Sequence, residues 1–292
     1  MGEEWPVTAA CGRGPSPNNW HVSAAYGLRI PCCGREEKRP TVEIDLIIFD
    51  WGGTLADVSN QPEALLAGSS VVSEVLSGRN DADAARALVF HALGAEKAAA
   101  ADPRCREVDL AILMADWAKA HGWPADAQRV AAAVQALGEQ WVGGALTPLP
   151  GALNAARRLR EAGYRLGLVS NCWVPKRYCD RELDRQGFAE LMDFTVYSSE
   201  IGYRKPSKTI YETALNRAYP NGHRPDLARV LFVGDSPTCD VIAPATMGMR
   251  TALVAGRPGS WSEQDLARAK PDLQLGSVAE LPAWLNAESV AT

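Results

Sequence analysis

The feature that most constrains this chain is the run Ile44-Asp45-Leu46-Ile47-Ile48-Phe49, which ends in Asp50-Trp51-Gly52-Gly53-Thr54-Leu55. A short apolar stretch rich in β-branched residues, stopping at a glycine pair, reads as a buried parallel strand whose carboxyl end opens into a loop. In open α/β sheets ligands bind outside the carboxyl ends of strands. Asp50 therefore stands where chemistry is done, and the two glycines let the backbone turn and approach a ligand closely. The same residues also suit a plain turn in which Asp50 does no more than cap the backbone.

Three further strand ends follow in order. Leu166-Gly167-Leu168-Val169-Ser170-Asn171 reads as a second buried strand, ending in a hydroxyl and an amide. Gly202-Tyr203-Arg204-Lys205-Pro206 sets a lysine before a proline able to open a helix. Val230-Leu231-Phe232-Val233-Gly234-Asp235-Ser236 is a third strand ending in acid, with Asp240 shortly after it. Each has an ordinary explanation taken singly: Ser170 as a helix cap, Lys205 as a solvated charge, Asp235 and Asp240 as turn and N-cap residues. Taken together and in this order, an aspartate, a serine, a lysine and an acidic pair resemble the haloacid dehalogenase superfamily, most of whose members are magnesium-dependent phosphatases. The resemblance runs over residues 44–254.

Composition agrees with a globular protein. The 292 residues are 47% hydrophobic, enough for a substantial core in one large domain or two smaller ones, and the net charge of −5 comes with no Lys/Arg cluster of the kind that marks a nucleic-acid footprint. No apolar run reaches the roughly 18 residues that suggest a membrane span. Seven cysteines, at positions 11, 32, 33, 105, 172, 179 and 239, lack CxxC pairs and zinc-finger spacing, so free thiols in a reducing, cytoplasmic compartment are expected.

Along the chain, residues 1–41 show neither helical nor strand periodicity and are expected to form a tail outside the packed fold, with a mis-called start codon as one explanation. Their acidic residues fit no targeting peptide. Residues 57–147 carry no strand pattern but four helical ones, at 62–76, 81–93, 105–121 and 125–142. In the second, the stripe Leu88, Phe90 or His91, and Leu93 reads as core packing. Trp117, Trp123 and Trp141 are assigned to the same internal core. From Pro148 onward strands and helices alternate, so the fold class is α/β: a doubly wound, Rossmann-like parallel sheet built from residues 42–56 and 148–292. The resemblance implies that 57–147 are an inserted α-helical cap closing over the active site.

The resemblance also assigns roles. Asp50 is the expected nucleophile and Ser170 and Lys205 its catalytic companions. Trp51, Gly52, Gly53, Thr54, Asn171 and Arg204 are expected at the substrate, with Trp51 as a wall of the pocket. Mg2+ is expected between Asp50, the Gly52 carbonyl and Asp235, with Asp240 a weaker ligand or a partner behind the ligands. The substrate class is a small phosphorylated molecule, with no nucleic-acid or membrane partner, and the protein a monomer or homodimer.

One position departs from the pattern. The superfamily's phosphatases carry a second aspartate two residues after the nucleophile, a general acid and base; here that position is Gly52. Three readings follow. The chain is a phosphatase for good leaving groups, or one that borrows an acid from the cap, where His91 and His121 lie, or from Asp57. Alternatively it breaks another bond, as in phosphonoacetaldehyde hydrolases, whose first motif is similar and which use a cap lysine, here Lys97 or Lys119, or as in 2-haloacid dehalogenases. The third reading is a catalytically weak binding or scaffold protein.

Overall fold

The computed structural model describes residues 43–222, 226–256 and 262–290. They lie in one compact unit beginning at Thr41, and the expectation of a tail over residues 1–41 concerns residues outside the described set. In chain order the elements are β1 (Leu46–Phe49), β2 (Ala56–Asp57), α1 (Gln61–Ser77), α2 (Ala82–Ala101), α3 (Leu110–Ala120), α4 (Ala127–Trp141) and β3 (Thr147–Pro148). They continue with α5 (Ala152–Glu161), β4 (Arg165–Ser170), α6 (Lys176–Arg185), β5 (Phe194–Tyr197), α7 (Ser198–Ile201), α8 (Lys208–Ala218), β6 (Val230–Gly234), α9 (Ala243–Thr246) and β7 (Arg250–Val254). The last are α10 (Glu263–Ala269), β8 (Leu273–Leu275) and α11 (Leu281–Val290).

Among the described residues the main sheet has six strands in the order β5-β4-β1-β6-β7-β8, every neighbouring pair parallel. β1 sits between β4 and β6, with Phe49 opposite Leu168 on one side and Val233 on the other. The chain lays down strands to one side of β1 and then returns to the other, so the carboxyl end of β1 is a topological switch point. Alternation of side chains sends Ile47 and Phe49 into one apolar cluster, with α5, α6 and α11, and Leu46 and Ile48 into another, with α8. Both faces of β1 are buried, as continuous apolar strands in parallel sheets require.

The short antiparallel pair β2–β3 brackets the four helices α1–α4. These helices share an apolar cluster of their own, including Leu65, Val72, Leu88, Met114, Trp117 and Leu137. Aspartates cap three of them: Asp81, Asp109 and Asp126 accept from backbone amides of the first turns of α2, α3 and α4.

Several expectations are corrected here. α2 runs on to Ala101 because 94–101 is alanine-rich, the best helix former, and it stops before Pro103, which disfavours helix at the preceding residue. α3 starts at Leu110, behind its Asp109 cap, and 102–109 is a loop with Cys105 at φ 52°. The α2 stripe is Ala85, Leu88 and Ala92; Phe90 is 75% exposed, and His91 and Leu93 are also outside the buried core. Trp141 packs in the cluster beneath the sheet, next to Trp51, instead of among the helices. The stretch after β6 is a π-helical turn over Pro237–Ile242 followed by the one-turn α9. β2, β3 and β8 lack any repeating pattern long enough to read from sequence.

Candidate active site

Asp50 is the first residue beyond β1, and its amide donates to the Val233 carbonyl at 2.9 Å, so β6 fixes its position. The loop then folds on itself: the Trp51 carbonyl accepts from Leu55 and Ala56 at 2.8 and 2.9 Å, and the Gly53 amide donates to the Ala56 carbonyl at 2.7 Å. Gly53 adopts φ 85°, and a Cβ there would overlap the Asp235 carboxylate, so only glycine lets this turn lie against that acid. A Cβ on Gly52 would come within 2.8 Å of a Val58 methyl. Room that a side chain at position 52 would need is already filled.

Lys205 reaches into the carboxyl end of the sheet. Its Nζ donates to Asp50 Oδ1 at 2.7 Å and to Asp240 Oδ1 at 2.8 Å, all three groups being buried. Asp240 is held from behind by the Ser236 amide, which donates to its Oδ2 at 2.9 Å; Gly234 has no Cβ to collide with it. Asp50, Asp235 and Asp240 each bring a carboxylate oxygen into a group spanning no more than 4.8 Å.

These charges perturb one another. Burial, with the neighbouring Asp240, pushes the Asp50 carboxyl up to about 6 although Lys205 pulls it down. Burial and the charges of Asp50 and Asp240 push Asp235 up to about 8. Burial works against the Lys205 charge, yet Asp240 and Asp50 overcome it and hold the ammonium protonated above its ordinary range. Three carboxylates thus share one ammonium, and no described ion pair reaches Asp235. Oxygen donors with an uncompensated negative charge fit a hard divalent cation such as Mg2+; Asp50, Asp235 and Asp240 are the side chains that could hold it, the Gly52 carbonyl lying two residues beyond Asp50 in the chain.

A cavity of about 550 Å³ opens above this cluster, lined by Asp50, Gly52, Ser170, Asn171, Arg204, Lys205 and Asp240 among others. From the helical layer it receives Gln61, Glu96, Ala100 and Trp141. An adjoining space of about 250 Å³ shares Val58, Gln61, Glu96, Trp141, Asn171 and Cys172 with it and is otherwise mostly apolar, walled by Pro62, Leu65, Leu93 and Trp173, with Ser59 at its side. Polar groups converge at one end and apolar ones at the other, the usual make-up of a small-molecule site.

The expected site residues divide into three groups. Asp50, Ser170, Lys205, Asp235 and Asp240 meet around the carboxyl ends of β1, β4 and β6. Asn171 and Arg204 line the cavity with their polar ends engaged elsewhere. The Asn171 amide accepts from the Lys205 backbone N–H at 2.7 Å and donates to its carbonyl at 3.1 Å, so it positions the lysine. Arg204 faces Glu107 at 3.3 Å and Glu96 at 3.9 Å. Trp51 and Thr54 are held mainly by the core. Trp51 is among the residues lining the cavity, but its indole is 1% exposed, donates to Gln186 at 3.1 Å and packs on Trp141 and Tyr197, so it also anchors the loop in the core. The Thr54 hydroxyl is buried, without a hydrogen-bond partner among the described residues, and stands outside the cavity lining.

The candidate substitutes for the missing acid fare unequally. His91 and His121 stack with Trp117 and Trp123 outside the cavity, and Asp57 bonds Ser59. Lys97 and Lys119 are exposed and also stand outside it. Glu96, Val58 and Gln61 were not singled out by sequence, since each becomes a site residue only through where its element lies; Glu96 falls in the part of α2 beyond the expected helix end.

Comparison with known proteins agrees with this architecture. A pyrimidine 5'-nucleotidase of Escherichia coli is 33% identical over 36% of this chain and 44% of its own. A glyceraldehyde 3-phosphate phosphatase of Methanothermobacter thermautotrophicus is 34% identical over 37% of this chain and 45% of its own, so the chain spans less than half the length of either relative. Among solved structures, a 2-haloacid dehalogenase of Pseudomonas syringae superposes with a TM-score of 0.61 at 20% identity over 84% of this chain and 99% of that one. At that identity the likeness concerns the fold alone. A family model, haloacid dehalogenase-like hydrolase, matches residues 44–248, the same span that carries Asp50, Lys205 and the acidic pair at the carboxyl end of the sheet, and the chain belongs to that family of hydrolases.

Proposed function

We propose that this hydrolase is a divalent-metal-dependent phosphatase that acts on small phosphate monoesters through an aspartyl phosphate on Asp50. The observation that carries the reading is the buried Asp50–Lys205–Asp240 chain with Asp235 inside the same 4.8 Å cluster. Such a cluster has the donors for a cation and a nucleophile beside an ammonium, and it needs positive charge to accept a phosphoryl group. The curated relatives named as a nucleotidase and a phosphatase support the same class.

In this reading the Asp50 carboxylate attacks phosphorus, the ester oxygen departs, and water cleaves the acyl phosphate. Lys205 holds Asp50 in position and balances the charge of the transferring oxygens. Ser170 donates to a phosphoryl oxygen, and Asn171 fixes the lysine's backbone. Mg2+ held by Asp50, Asp235 and Asp240 would neutralise the phosphoryl anion. The helices α1–α4 act as the cap, supplying the apolar annex where the substrate's body rests. Both cations of the cavity, Lys205 and Arg204, are already paired with acids, which favours a substrate with no second anionic group. Free thiols among the described cysteines support a reducing, cytoplasmic compartment, and no helix of the described residues is long and apolar enough to cross a membrane.

The dehalogenase reading has one observation in its favour, a glycine where phosphatases place their acid, with Val58 filling the space. A screen of phosphate monoesters, acyl phosphates, phosphonoacetaldehyde and 2-haloacids, with and without Mg2+, separates the readings. Phosphate release that stops in chelator supports the proposal; halide release that persists in chelator overturns it.

A further inference from the structure

Resting on the phosphatase reading, we infer that Glu96, on the cap helix α2, is the proton donor and acceptor that position 52 does not supply. Among the residues lining the cavity, the carboxylates are Asp50 and Asp240, both bound to Lys205, and Glu96. Glu96 belongs to both the polar chamber and the apolar annex, so it stands at the boundary a leaving oxygen must cross when the phosphoryl group lies on Asp50 and the substrate's body in the annex. Its side chain is 40% exposed and its carboxylate stands 3.9 Å from the Arg204 guanidinium, a loose pairing. Burial, and the charge of Glu107 behind it, raise its carboxyl above the ordinary glutamate value against the pull of Arg204, so the acid form persists to higher pH than in solution. His91, His121 and Asp57 stand outside the cavity.

The proton inventory closes. As the Asp50 oxygen bonds to phosphorus and the ester P–O bond breaks, the Glu96 carboxyl gives its proton to the departing alkoxide, which leaves as the alcohol. In the second step water attacks phosphorus and yields a proton to the Glu96 carboxylate; the acyl P–O bond breaks, orthophosphate leaves, and Glu96 is again protonated. The net reaction is ester plus water to alcohol plus phosphate.

The test is rapid-quench kinetics of Glu96→Gln and Glu96→Asp, Mg2+ present, on an alkyl phosphate and on 4-nitrophenyl phosphate, whose leaving group needs no proton. With Glu96→Gln the first turnover of the alkyl ester should fall by about 10²- to 10⁴-fold. The first turnover of the nitrophenyl ester should change less than about tenfold, followed by a slow steady state, so that a burst of nitrophenolate near one per active site appears. Glu96→Asp should recover part of the alkyl rate. Equal loss on both esters without a burst would make Glu96 a structural tether for Arg204 and overturn the proposal, as would unchanged alkyl turnover. Failure of the underlying reading looks different: wild-type protein would then release no phosphate from any ester.

Discussion

Asp235 feels the negative charge of two neighbours and lies outside the close Lys205 ion pairs, and that asymmetry has a measurable consequence. In the metal-free fold the carboxyls of Asp50 and Asp235 sit at about 6 and about 8, above the roughly 3.9 of an unfolded aspartate. The folded state therefore binds more protons than the unfolded one across that window, and unfolding free energy falls as pH rises through it. A divalent cation binds the deprotonated acids and removes the penalty. The gap in Tm between Mg2+-loaded and metal-free protein should widen steadily between about pH 5 and 8; a gap independent of pH would mean that these carboxylates do not hold the metal. Asp235→Asn should close most of the gap.

Position 52 is the second residue-scale test. Gly52→Asp alone must push Val58 aside, and a β-branched side chain has few rotamers to yield into. The single variant should therefore gain no alkyl-phosphate activity and lose stability by about 1–3 kcal/mol, as overpacking does. Gly52→Asp combined with Val58→Ala should recover the stability and raise kcat/KM on alkyl phosphates, most visibly in a Glu96→Gln background. If the single variant already gains activity at full stability, Val58 is not the constraint. Sequence reached the residues that the structure clusters, because Asp50, Ser170 and Asp235 end or follow an apolar run, Lys205 precedes a proline and Asp240 comes shortly after Asp235. It could not tell which neighbours point inward: Trp51 follows the nucleophile directly, yet its ring turns into the core to meet Gln186, a partner 135 residues away in the chain.

Elements show the same division between local and distant causes. The long strands and the amphipathic helices were legible, since β5 and β6 have both faces or alternate faces covered and caps such as Asp81 and Asp126 mark helix starts. β2, β3 and β8 are two or three residues long and exist because a neighbour offers hydrogen bonds, which leaves no pattern in the chain. The loop at 102–109 is the most consequential element of this kind. Its Glu107 amide donates to the Gly202 carbonyl at 3.1 Å, its Cys105 carbonyl accepts from Arg204 at 2.9 Å, and the Glu107 carboxylate bonds both Arg204 and Ser198. The helical layer is thus fastened to the segment that presents Lys205. With side chains 2% and 9% exposed, Glu107 and Arg204 form a buried pair, and removing Glu107 leaves Arg204 with Glu96 alone, at 3.9 Å. Glu107→Ala should cost about 3–5 kcal/mol in urea unfolding. A loss under about 1 kcal/mol would place the pair with exposed surface bridges instead.

On the scale of the whole molecule, the six-stranded sheet fixes the nucleophile between β4 and β6, while the helices α1–α4 bring Glu96 and an apolar wall to the same space. In the proposed reading the sheet sets the reaction, and the helical layer sets which esters fit and how the leaving group is protonated. Both statements depend on a phosphoryl group residing on Asp50. The most direct measurement is intact-protein and peptide mass spectrometry after acid quench of a reacting mixture with Mg2+. One added phosphoryl group located on the peptide bearing Asp50, absent in chelator and in Asp50→Asn, is the predicted result; turnover of a phosphate ester with the label elsewhere, or with no covalent species while Asp50→Asn stays active, would contradict the account.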